Sequence, residues 1–106
     1  MNFVNCTPHA INVYNGETLV ATFPPSGTVT RVSTFPQLIA TLGSIQLFVN
    51  QYGPIVDLPA QEKNVMYIVS AMVRSASSRT DIVSPGELVR NEQGQPIGCQ
   101  GFTINP

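Results

Sequence analysis

Ala10-Ile11-Asn12-Val13-Tyr14-Asn15-Gly16-Glu17-Thr18-Leu19-Val20-Ala21-Thr22-Phe23 is the stretch that sets the fold class. Successive side chains of an extended chain point to opposite faces, so Ile11 and Val13 share one face and Asn12 takes the other. Asn15-Gly16 follows, a pair that tolerates positive φ and is the strongest short hairpin signal. The alternation then resumes, with Leu19, Ala21 and Phe23 facing one way and Thr18, Val20 and Thr22 the other. Residues 10–23 read as a β-hairpin.

Upstream, Asn5-Cys6-Thr7-Pro8-His9 is a polar corner, because Pro8 lacks a donor and pushes Thr7 out of the helical region. Downstream, Pro24-Pro25-Ser26-Gly27 ends the hairpin, and the β-branched residues 28–32 suggest a third strand. Residues 35–42 suggest a helical turn or two, with Thr34 as cap, Pro36 at the first helical position and Gly43 as stop. Residues 44–49 alternate again, with Ile45, Leu47 and Val49 inward. Tyr52-Gly53-Pro54 reads as a turn, and Ile55-Val56 as a short strand ended by Pro59. Residues 65–70 form a continuous apolar run, the mark of a central strand buried on both faces. Residues 71–77 continue it or turn into a short helix. Asp81-Ile82-Val83 is a short strand, Pro85-Gly86 a turn, and residues 88–104 a closing hairpin with the polar tip Asn91-Glu92-Gln93-Gly94. The expectation is one domain over residues 1–106, mainly β and at most α+β. It is a compact small β-barrel or sandwich of seven to nine short antiparallel strands with one short helix.

Of the 106 residues, 42% are hydrophobic and only 10% are charged, against the usual quarter or so. Ser, Thr, Asn, Gln, Gly and Pro therefore cover the surface, as in a turn-rich β protein. Charge depletion also marks interface cores, so a homo-oligomer is expected. The net charge of −1 leaves no basic field for a DNA or RNA duplex. No apolar run reaches the length of a membrane span, and residues 3–6 are too short a patch for an export signal. Cys6 and Cys99 then read as free thiols in a reducing compartment, which places the protein in the cytoplasm.

No phosphate loop, Gly-x-Gly-x-x-Gly motif, nucleophile elbow or carboxylate pair is present, so no cofactor and no catalytic residue is expected. Cys6 and His9 are spaced for a thiolate pair, but nothing in the sequence supplies a group to orient the imidazole. A buried Cys and a satisfied or exposed His carries more weight. One His and two distant Cys make no metal site. The densest polar group is Arg74, Ser77, Ser78, Arg79, Thr80 and Asp81, just beyond the central strand. Guanidinium forks match phosphate, and hydroxyls and turn amides add donors. The same residues also suit a solvated loop with an internal Arg79–Asp81 pair, and the two readings weigh evenly. Thr7-Pro8-His9 fits an anion- or base-binding corner, or simply a rigid turn.

Three segments in order carry a resemblance: Asn5-Cys6-Thr7-Pro8-His9, then Pro24-Pro25-Ser26-Gly27-Thr28-Val29, then Pro85-Gly86-Glu87-Leu88-Val89-Arg90-Asn91-Glu92-Gln93-Gly94-Gln95-Pro96-Ile97-Gly98-Cys99. The chain is similar to small phage and prophage proteins that start on Asn-x-Thr-Pro-His and end on a hairpin close to Val-Arg-Asp-Glu-x-Gly-x-x-Ile-Gly-Cys. Asn91 departs from that pattern, so a charge there is not essential. The resemblance implies an accessory phage protein acting in an infected bacterium. By analogy with phage anti-defence sponges, the expected function is non-enzymatic sequestration of a nucleotide-type immune signal, a cyclic oligonucleotide or cyclic ADP-ribose. The expected ligand-binding residues are Thr7, His9, Tyr67, Arg74, Ser77, Arg79, Thr80 and Asp81. The alternatives are direct inhibition of a host defence protein, a small Cys/His-dependent hydrolase, and a minor virion component.

Overall fold

The computed structural model describes all residues, Met1–Pro106. Eight strands occupy more than half of the chain: β1 (Asn2–Asn5), β2 (Ile11–Asn15), β3 (Thr18–Phe23), β4 (Arg31–Leu42), β5 (Ile45–Val56), β6 (Val65–Ile68), β7 (Ile82–Arg90) and β8 (Pro96–Ile104). The single short helix α1 (Ala71–Ala76) lies between β6 and β7, so the chain is mainly β as expected. Six strands make one sheet in the order β1-β6-β7-β8-β2-β3, while β4 and β5 form a separate two-stranded ribbon. Pairing is mixed rather than all antiparallel. β1/β6, β6/β7 and β2/β8 are parallel; β2/β3 and β7/β8 are antiparallel. Parallel neighbours need a crossover, and α1 supplies one between β6 and β7.

β6 is buried on both faces, as its unbroken apolar run requires. Tyr67 and Val69 pack with Cys6, Val73 and Ile82 on one face. Ile68 packs with Ile11, Val13, Val83 and Cys99 on the other. The first face is covered by α1, by Val32 and Ile55 from the ribbon's base, and by Leu58 just beyond it. Ser70 caps α1 by accepting the Val73 amide at 3.2 Å. The second face is concave. Phe3 of β1, Phe23 of β3 and Phe102 of β8 meet in tilted contacts with ring centroids 5.5, 5.3 and 6.0 Å apart. β1 and β3 are the two ends of the strand order, so this trio curls the sheet into a half-barrel.

Several local readings are corrected. Residues 35–42 are strand, not helix, and Pro36 pairs with Asn50 inside β4. A two-stranded ribbon leaves one side of each strand unpaired, so a missing amide there costs no ladder bond. Gly43 opens the two-residue loop between Leu42 and Ile45, with φ 61°, as a tight hairpin requires. Tyr52-Gly53-Pro54 stays within β5, and a register shift opposite Val32–Thr34 absorbs the irregularity. Pro85-Gly86 lies inside β7; a Cβ on Gly86 would come 2.1 Å from the Gln100 carbonyl oxygen, so this glycine permits close strand approach. In the first hairpin the loop is Gly16-Glu17, because Asn15 pairs with Thr18. A shift at Val13/Tyr14 leaves Leu19 and Val20 exposed. Ile45, Leu47 and Val49 do alternate, but they too are exposed.

Candidate functional site

The corner between β1 and β2 is organised by Asn5, which is 2% exposed. Its Nδ2 donates to the carbonyls of His9 at 2.8 Å and Phe23 at 3.0 Å. Its Oδ1 accepts from the Thr7 amide at 3.0 Å and the Thr7 hydroxyl at 2.7 Å. An Asn two residues before Thr-Pro can bond its own backbone in this way. That is the signal sequence reasoning passed over. The result is a fixed loop that presents Pro8 and the His9 ring to solvent.

The arginine-rich segment is brought together, but its groups face one another. Arg79 donates from Nε to Asp81 Oδ1 at 2.8 Å, from Nη2 to Asp81 Oδ2, and from Nη1 to the Pro59 carbonyl at 2.8 Å. Its guanidinium lies 5.9 Å from the Tyr67 ring centroid. Asp81 is buried. The bonds from Arg79 hold its carboxyl below the usual range, against the opposing pull of burial. The same bonds raise the Arg79 pKa. Tyr67 is buried, its hydroxyl donates to the Ala60 carbonyl at 2.9 Å, and burial foremost pushes its phenol up. Arg74 donates to Ser84 Oγ at 2.8 Å and to Asn105 Oδ1 at 3.2 Å. Ser77 caps the end of α1 and accepts the Arg79 amide. Ser78 and Thr80 are exposed, Arg74, Ser77 and Arg79 are half-buried, and Asp81 is buried. Asn105, which sequence reasoning missed, donates from Nδ2 to the carbonyls of Ser77 and Arg79, each at 2.9 Å, and ties the segment to the C-terminal strand.

The open space lies elsewhere, along the Thr7–His9 corner. A cleft of about 380 Å³ is lined by His9, Ile11, Pro85, Leu88 and Ile97 among others. A second, of about 460 Å³, shares His9, Ile11, Pro85 and Leu88 with it and continues past Thr7, Pro8 and Ser70. A third, of about 390 Å³, shares Pro8 and Ser70 with the second and ends at Thr30, Arg31 and Ser33. The three depressions adjoin through these shared residues. One end is apolar with an imidazole; the other holds a guanidinium and hydroxyls. Arg31 is exposed there, and the chain's one ion pair is elsewhere. Sequence reasoning missed Arg31 because the residue stands alone in a β-branched stretch.

Cys6 is 1% exposed in the core, and burial raises its thiol pKa. Cys99, also 1% exposed, is raised by burial in the same way. The two belong to separate clusters on opposite faces of the sheet, and both are free. A raised thiol is the reverse of an activated one. No group of three or more His, Cys, Asp or Glu side chains comes together as for a metal. No helix is long and apolar enough to cross a membrane. Comparison with family models, curated proteins and solved structures finds no match to this chain.

Proposed function

We propose that this is a non-enzymatic phage anti-defence protein that binds and sequesters a nucleotide-type immune signal. The signal would be a cyclic oligonucleotide or cyclic ADP-ribose, held in the cytoplasm of an infected bacterium by a homo-oligomer. The phage setting rests on the three sequence segments quoted above. The observation that carries the binding reading is the row of adjoining depressions, apolar beside His9 and polar beside Arg31. A nucleotide needs a flat apolar wall for its base and a cation with hydroxyls for its phosphate. His9, Ile11, Leu88 and Ile97 supply the first; Arg31, Ser33 and Ser70 supply the second. In this reading Arg31 takes the phosphate role, because Arg74 and Arg79 each commit part of their donors to internal bonds. Capture without cleavage asks for no activated nucleophile.

The test is a thermal-shift screen against cyclic dinucleotides, cyclic trinucleotides and cyclic ADP-ribose isomers, with chromatography of the recovered ligand. A ligand that binds only the native state raises the midpoint, and it is expected back intact. Arg31→Ala should weaken binding by roughly 10- to 100-fold, the worth of a charge-assisted bond. His9→Ala should weaken it by several-fold, the worth of a stacking contact. Altered ligand would reopen the hydrolase reading, for which Cys6→Ala is the control. No shift with any nucleotide favours the second reading, direct inhibition of a host protein. Leu19 and Val20, exposed on the edge strand β3, supply an apolar contact for that reading.

A further inference from the structure

We infer that the β4–β5 ribbon is an assembly arm covered by a second copy of this chain. Residues 32–56 contain no charged side chain. Every residue from 33 to 52 is exposed, and more than half of the chain's exposed large apolar side chains lie on the ribbon. The register puts Phe35, Leu42, Ile45, Leu47 and Val49 on one face and Leu38, Phe48 and Tyr52 on the other. Only the base, through Val32 and Ile55, reaches the core. Two strands alone are marginal in water, and an uncharged edge invites pairing with another chain.

The area points to a stable partner. A compact monomer of this mass exposes about 5,800 Å²; this chain exposes 7025 Å². The excess of roughly 1,200 Å² is more than the ~800 Å² that each partner gives to a standard interface. The radius of gyration is 16.4 Å, where a compact chain of this length has about 13 Å.

The occupant follows from charge and timing. A surface without charge on either face gives a charged partner nothing to pair with, whereas a second ribbon matches it in polarity, as a two-fold contact requires. A second copy is also present whenever the chain folds, so the ribbon is not left bare. This rests on the homo-oligomer part of the proposed function and not on the nucleotide part.

The test is light scattering on size-fractionated protein, with the double variant Leu42→Lys, Ile45→Lys at the ribbon tip, away from the core. A wild-type dimer or larger species, and a folded monomer for the variant, is the expected result. A wild-type monomer at micromolar concentration overturns both the arm and the oligomer. An oligomer that the folded variant retains overturns the arm alone. A wild-type monomer that instead binds phosphatidylglycerol vesicles through the ribbon assigns it to a lipid surface and overturns the inference. If the variant does not fold, hydrogen exchange on the wild type decides: amides of residues 33–52 protected more at high concentration support the arm, and fast exchange at all concentrations overturns it.

Discussion

The Arg79–Asp81 pair carries the sharpest residue-scale expectations. Asp81 is buried and its carboxyl is held below the ordinary range by hydrogen bonds from Arg79. The charged form is therefore the favoured one in the fold. Its contribution is complete above about pH 4 and is lost as pH falls through the lowered native value. Asp81→Asn should unfold at lower urea at pH 7, by about 2 kcal/mol, and lose less stability than the wild type between pH 4 and 2.5. Arg79→Ala should cost more, about 3 kcal/mol, because it leaves a buried carboxylate unpaired. Equal urea midpoints for Arg79→Ala and wild type would place the pair's energy in solvent. Asn105→Ala, which removes three bonds and leaves the Ser77 and Arg79 carbonyls without that donor, should lower stability by about 1–3 kcal/mol, read as a lower urea midpoint. The density of polar groups over residues 74–81 was legible in the sequence; their direction was not. An Arg two residues before an Asp can face out toward a ligand or fold back on its neighbour. Here the Pro59 carbonyl, brought in from another loop, completes the inward choice.

Hairpins show the same split at the scale of elements. The two-residue loops at Gly16 and Gly43, with φ 63° and 61°, follow from glycine's freedom at positive φ. Gly43→Ala should cost about 1 kcal/mol, the penalty of a left-handed L-residue, read as a small fall in melting midpoint. Gly86→Ala should be worse, because the new methyl meets backbone 2.1 Å away that can yield only by parting β7 from β8. A loss of about 2–3 kcal/mol is expected, and a midpoint within 1 °C of wild type would refute the close approach. Proline misled the reading of residues 35–42, since Pro36 with Thr34 before it and Gly43 after it fits a capped helix. What overrode it was a partner: residues 45–52 are rich in apolar and β-branched side chains and lie directly across a tight turn. Local propensity cannot anticipate that pairing. Pro85-Gly86 failed for a related reason, because β8 holds the segment extended from both sides of the dipeptide.

For the whole molecule, the two buried thiols report on integrity. Burial raises both Cys6 and Cys99, so the native state keeps them protonated where the unfolded chain ionises. That stabilisation is full below the ordinary thiol value of about 8.5 and is lost as pH rises above it. Both thiols should resist a disulfide-exchange reagent at pH 8 in buffer and react fully in denaturant. Rapid native reaction at Cys6 would contradict the packed face around Tyr67, Val69, Val73 and Ile82. By itself the sequence determined the β class, most strand positions, the buried central strand and the polar corner, because these depend on alternation, apolar runs and turn chemistry within a few residues. Only the tertiary structure decided the parallel pairings, the aromatic closure of the half-barrel and the inward turn of Arg74 and Arg79. It also decided the adjoining depressions beside His9 and Arg31 and the bare ribbon. Each of these depends on which distant segments meet, and contacts between segments far apart in the chain leave no periodic mark along it.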